Sequence, residues 1–180
     1  MPASPPDSAR PGQGARSLAE VLGTGLLVAA VVGSGIAAER LSPGDVGLQL
    51  LENSTATVLA LAALILTFGP VSGAHLNPAV TLAEAVTGKL ERRAIGPYVG
   101  AQVLGGCLGA VVANVMFEAP AVEWSTHDRL TAATALSEVV ATFGLLTVIF
   151  GVVRSGRLTA VPVAVAGYIG AAYWFTSSTS

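Results

Sequence analysis

The run Ser72-Gly73-Ala74-His75-Leu76-Asn77-Pro78-Ala79-Val80-Thr81 sets turn-forming and hydrogen-bonding groups inside an apolar stretch. Asn77 is a strong helix N-cap, its side-chain oxygen placed to accept from a first-turn N–H, and Pro78 suits the next position because it has no N–H and its φ is preset. With that oxygen engaged, the Asn77 NH₂ remains to donate. The carbonyls of Gly73, Ala74, His75 and Leu76 belong to no regular ladder and are available as acceptors. Donors and acceptors so arranged exchange hydrogen bonds with a neutral molecule; they do not make or break covalent bonds. The helix N-terminus also carries about half a unit of positive charge, which is unfavourable to cations.

Two carboxylates could act on this stretch. Glu20 and Glu138 each sit within apolar runs, where an ionisable group suggests a functional role such as a proton relay. Both occupy the same place in a repeated pattern, so a bracing role is preferred here: each would accept from loop N–H groups that no ladder satisfies. His75 either points into a cavity or braces the loop. His75, His127 and Cys107 fall in a loop, a connection and a span, with no nucleophile and base brought together, so no enzyme is expected. Nor does any cluster suggest a metal or cofactor.

The elements that must hold these groups are membrane helices. Of 180 residues, 52% are hydrophobic and only 11% charged, outside the range of ordinary soluble domains. The net charge of −2 and the lack of a basic, aromatic-studded stretch argue against nucleic acid. Spans are predicted at Ser17–Ala38, Ala56–Val71 (starting as early as Leu48), Ile95–Phe117, Thr131–Val153 and Leu158–Phe175. Residues 1–16, rich in Pro, Ser and Gly, are expected to be a disordered tail. The helix from Asn77 should stop near Gly88 and Lys89 after about three turns, too short to cross, since a crossing needs roughly 20 residues. Such a half-helix is tolerated at membrane depth only where protein or a wet cavity surrounds its lead-in. Gly96 with Gly100, and Gly105 with Gly109, have the spacing of closely packed membrane helices. Arg10, Arg16, Lys89, Arg92, Arg93, Arg154 and Arg157 fall on one side and Arg40 and Arg129 on the other, placing the N-terminus in the cytoplasm.

Glu20-Val21-Leu22-Gly23-Thr24 recurs as Glu138-Val139-Val140-Ala141-Thr142, 118 positions on. An odd number of crossings separates the copies, giving an inverted repeat. Ser72-Gly73-Ala74 then corresponds to Ser178-Thr179-Ser180, at an offset of 106.

The loop string, with Asn77-Pro78-Ala79 at its centre, closely resembles the signature loop of the major intrinsic proteins, the aquaporin and glycerol-facilitator family. Ser72, Gly73, Val80 and Thr81 match as well. The resemblance covers the chain from about Ser17 and implies an all-α, aquaporin-like inverted-repeat bundle of five spans plus one re-entrant half-helix over residues 17–180. A second Asn-Pro-Ala loop and a sixth span are due beyond Ser180, so a truncated chain is expected. The resemblance further implies passage of water or small neutral solutes, of glycerol or metalloid type among them, with ions excluded by half-helix dipoles, as is established for aquaporin-type pores. It implies a lipid bilayer as surroundings, the inner or plasma membrane as location and a homotetramer as assembly. Glutamates matching Glu20 and Glu138 brace the family's loops. The narrowest point falls on Thr57 from the second span and, by the 106 offset, on Ala171 from the fifth. This small pair implies an opening wider than strict water selectivity needs. A non-conducting fragment and an ion-coupled transporter of inverted-repeat type remain as alternatives.

Overall fold

A computed structural model describes residues 11–122 and 131–176. Its helices are α1 (Gln13–Leu41), α2 (Val46–Ser72), α3 (Pro78–Val86), α4 (Ile95–Met116), α5 (Ala132–Arg154) and α6 (Val161–Thr176), with short 3₁₀ turns at Arg92–Ala94 and Leu158–Ala160. Five of the helical stretches are long and apolar enough to cross a membrane. No more than 28% of any of these apolar windows is buried inside the chain, and only 6% of the α5 window. So much apolar surface turned outward has hydrocarbon, not water, as its natural solvent. This is an integral membrane protein.

α1 begins earlier than expected. Of the predicted tail, residues 1–10 lie outside the described residues, but residues 13–16 form the first turn of α1. The cause is tertiary: Arg16 Nε donates to the Tyr98 hydroxyl at 2.8 Å, and its guanidinium stacks over that ring. His127, Arg129 and the repeat match at Ser178–Ser180 lie outside the described residues.

α1 packs on α4 and α2, α2 on α6, and α6 on α5, while α3 is wedged between α4 and α5. Glycine sets the α1–α4 distance. Gly105 and Gly109 face the α1 backbone at Val21 and Gly25, whereas Gly96 and Gly100 have nothing within 4 Å of a Cβ built on them. Only the second glycine pair therefore does what both were expected to do, because only that pair lies on the face turned to α1.

α3 has 9 residues, which at 1.5 Å per residue gives about 14 Å, roughly half a bilayer core. Its start is fixed by Asn77 Oδ1 accepting from Ala79 N–H at 2.7 Å, with Pro78 in the first turn. Its end is fixed by Gly88 at φ +76°, after which the N–H groups of Lys89 and Leu90 fold back onto the Glu84 carbonyl at 2.9 and 3.1 Å. The chain thus turns in at Gly73 and back out after Val86. Around the turn, Leu61, Ile65, Ala74, Leu76, Val80, Leu145, Val165 and Ala166 form one core cluster, to which α2, the loop, α3, α5 and α6 all contribute.

Candidate functional site

α2 ends because Gly73 takes the left-handed conformation at φ +89°, its N–H bonding the Gly69 carbonyl at 3.0 Å. Two further residues follow with positive φ, Ala74 at +48° and Leu76 at +49°. For residues with a Cβ such geometry costs about 1–3 kcal/mol each and persists only where surroundings enforce it. Glu20 enforces it. Its carboxylate is fully buried and accepts from Ser72 Oγ at 2.6 Å and His75 N–H at 3.0 Å on one oxygen, and from Leu76 N–H and Gln102 Nε2, both at 2.8 Å, on the other.

These bonds dictate where the loop carbonyls point. All peptide bonds among the described residues are trans, and in a trans peptide N–H and C=O project in opposite directions. With the N–H groups of His75 and Leu76 aimed at Glu20, the carbonyls of Ala74 and His75 are aimed away from it. Gly73, Ala74, His75, Leu76 and Asn77 line a cavity of about 370 Å³ on that other side. The remaining wall is mostly apolar, with Leu27, Leu61, Ile65, Leu145, Val165 and Ile169 among its members.

Further hydrogen bonds hold the loop from behind. Tyr98 donates to the Ser72 carbonyl at 2.8 Å. Thr81 Oγ1 donates to the Asn77 carbonyl at 3.2 Å and accepts from Gln102 Nε2 at 2.9 Å. The hydroxyl proton being so used, the 3.1 Å contact from His75 Nδ1 to Thr81 Oγ1 requires the imidazole to carry its proton on Nδ1. Nε2 of the neutral ring is then an acceptor. His75 both braces the loop and lines the cavity.

Asn77 spends its oxygen on the α3 cap, and its NH₂ has no partner among the described residues. It borders both the large cavity and a smaller one of about 160 Å³. Pro78 is exposed and Ala79 half-buried; they shape the helix start without lining either cavity. Thr57 is buried and lines the large cavity. Ala171 lies on the exposed face of α6, outside both cavity walls, and the α6 residue beside Thr57 is Tyr173. Glu138 is exposed and borders the smaller cavity, with Thr142 and Tyr173. Glu84 and Lys89 also line the large cavity, paired at 3.5 Å, the ammonium 4.6 Å from the Phe150 ring centroid.

Sequence reasoning missed Tyr98, Gln102 and Tyr173. A signal for the first two was present: Tyr98, Gln102, Gly105 and Gly109 form a polar-to-small stripe at helical spacing on an otherwise apolar span. Val161, Val165, Ile169 and Tyr173 likewise step by four along α6, and all line the cavity.

Residues 10–178 match the family model described as major intrinsic protein. The aquaglyceroporin AqpS of Rhizobium meliloti (strain 1021) is 51% identical over 165 residues, covering 92% of this chain and 70% of that protein. The probable aquaporin NIP7-1 of Arabidopsis thaliana is 34% identical over 126 residues, 69% of this chain and 45% of its own length. Aquaporin Z of Rhodopseudomonas palustris is 40% identical over 95 residues, 53% of this chain and 39% of its own. Against the latter two, the chain spans less than half the relative's length.

Proposed function

The chain belongs to the major intrinsic protein family, and we propose that the cavity beside α3 is one side of a passive conduit for water and small neutral solutes such as glycerol. One observation carries this reading. The Asn77 NH₂, without a partner among the described residues, and the outward carbonyls of Ala74 and His75 form a polar strip facing an apolar wall. A neutral solute can exchange its hydration for equivalent hydrogen bonds on that strip, whereas an ion finds too few ligands and the positive end of a helix dipole. An ion-coupled transporter would need a titrating carboxylate free at mid-membrane, and at Glu20 both oxygens are already engaged by donors, while Glu138 also has a bonded or charged partner.

The excess of basic residues on one side supports a cytoplasmic N-terminus in the plasma membrane, with α3 entering and leaving from the cytoplasm. A four-copy assembly follows from the family resemblance. No catalytic role is proposed.

Asn77→Asp tests the reading, because aspartate caps α3 as well as asparagine does but removes the donor and adds a negative charge. In liposomes carrying the chain, glycerol flux by stopped-flow light scattering should exceed that of protein-free vesicles. The variant should lower it about tenfold, roughly the loss of one hydrogen bond, and should admit cations that the parent excludes. Equal glycerol and cation fluxes in parent and variant would overturn the proposal.

A further inference from the structure

Glu84 and Lys89 are the charged members of the large cavity's wall among the described residues, and of the chain's nine basic residues Lys89 is the one lysine. An arginine fork suits a fixed planar contact, whereas lysine carries a compact charge on a flexible stem. The backbone beneath that stem is fixed. Gly88 turns the chain at φ +76°, the Lys89 N–H bonds the Glu84 carbonyl at 2.9 Å, and Leu90 is buried with Ala85, Ala94 and Tyr98. Only the four-carbon stem is left to move.

That stem crosses from the α3–α4 turn to α5, where the ammonium rests 4.6 Å from the Phe150 ring centroid and 3.5 Å from Glu84 Oε1. Ile149 and Val153, on either side of Phe150 in α5, line the cavity, and so does Val161 at the start of α6. Val153 and Val161 flank the short α5–α6 link, so they mark one end of the cavity; Tyr173, twelve residues on from Val161 and about 18 Å along α6, lines it too. The count of basic residues gives the Val153–Val161 end to the cytoplasm. We propose that Lys89 is a strap across this cytoplasmic mouth: with its ammonium on Glu84 and Phe150 it narrows the opening, and when it swings into water the mouth is clear. The hold is weak enough to let go. The Lys89 side chain is 42% exposed against 15% for Glu84, so the pair is open to screening by salt. An exposed ion pair and an exposed cation–π contact each favour the closed position by only about twofold to fivefold. The inference rests on the cavity being a conduit, as proposed above.

The test measures glycerol flux by stopped-flow light scattering in liposomes at matched osmolality. Glu84→Gln and Phe150→Leu should each speed glycerol about twofold to fivefold, Lys89→Ala should do so by at least as much, and Lys89→Arg should stay near the parent because it keeps both contacts. Raising the salt from about 0.01 M to 1 M shortens the Debye length from about 30 Å to 3 Å; it should speed the parent and leave Lys89→Ala unchanged. A damaged fold lowers flux, so a gain separates release of the strap from general harm. Lys89→Ala no faster than the parent, where both conduct, would overturn the strap and leave the conduit standing; parent and variant both no faster than protein-free vesicles would remove the two together. A readout independent of flux is the NMR signal of the lysine after reductive methylation with isotope-labelled formaldehyde, which keeps the charge, the signal being identified by its absence from Lys89→Arg. It should be shifted upfield by the Phe150 ring and return toward the position of a free lysine in Phe150→Leu. A free-lysine position in the parent would overturn the inference whatever the fluxes.

Discussion

Glu20→Gln is expected to bring glycerol flux down to that of protein-free vesicles and to lower the midpoint of thermal unfolding in detergent by several degrees. The substitution is nearly isosteric, so the effect is one of hydrogen-bond polarity. Four donors converge on two carboxylate oxygens in a fully buried site. An amide keeps one oxygen and replaces the other with an NH₂. If the NH₂ sits on the first side it confronts His75 N–H; on the second side it confronts Leu76 N–H and the Gln102 amide. The Ser72 hydroxyl and Gln102 can turn, but the backbone N–H groups cannot. Each buried donor left without a partner costs about 1–3 kcal/mol. The left-handed geometry at Ala74 and Leu76 also loses the contacts that hold it, releasing another roughly 1–3 kcal/mol per residue in favour of rearrangement. Together these exceed what one loop can absorb in place. The carbonyls of Ala74 and His75 would then leave the cavity wall, and a passing solute would lose its acceptors. Near-parental flux with an unshifted unfolding midpoint would show that Glu20 does not hold the loop.

The half-helix was legible because the signals that make it are local. Asn77 and Pro78 fix the start through one side-chain bond and one missing N–H, and Gly88 marks the end, so neighbouring residues suffice to place α3. The spans were legible because length and hydropathy report directly on the bilayer. What depends on the phase of one helix against another was not legible. Gly96–Gly100 and Gly105–Gly109 share a spacing, but the first pair has open space beside it and the second meets α1. An offset carried over from the repeat pointed to Ala171 as the partner of Thr57. Two positions on an α-helix turn the side chain by about 200°, and Tyr173, not Ala171, reaches Thr57. The start of α1 was missed for a related reason: no apolar periodicity marks Gln13–Arg16, and the contact of Arg16 with Tyr98 is remote in sequence.

Gly109→Ala should destabilise the protein strongly, while Gly100→Ala should not destabilise it at all. A Cβ on Gly109 would overlap the Gly25 carbonyl oxygen and stand 3.0 Å from its carbon and 3.1 Å from the Ala29 nitrogen. These are backbone atoms in the middle of α1, so no rotamer change relieves the contact and the helices must separate. Overpacking of this kind costs about 1–3 kcal/mol from strain alone. Separation carries a further penalty here, because the hydrogen bonds from Gln102 to Glu20 and from Arg16 to Tyr98 join the same two helices, each at 2.8 Å. An increase of even ~0.7 Å takes both out of hydrogen-bonding range. The loop bracing would fail along with the packing, so glycerol flux should fall together with the unfolding midpoint. Gly100 has open space around it, and alanine there gains helix propensity of about 1 kcal/mol over glycine in water. The two variants have the same chemistry on the same helix, and only the facing backbone differs. If both shift the unfolding midpoint equally, close approach of α1 and α4 is not what sets the position of Glu20 beneath the loop.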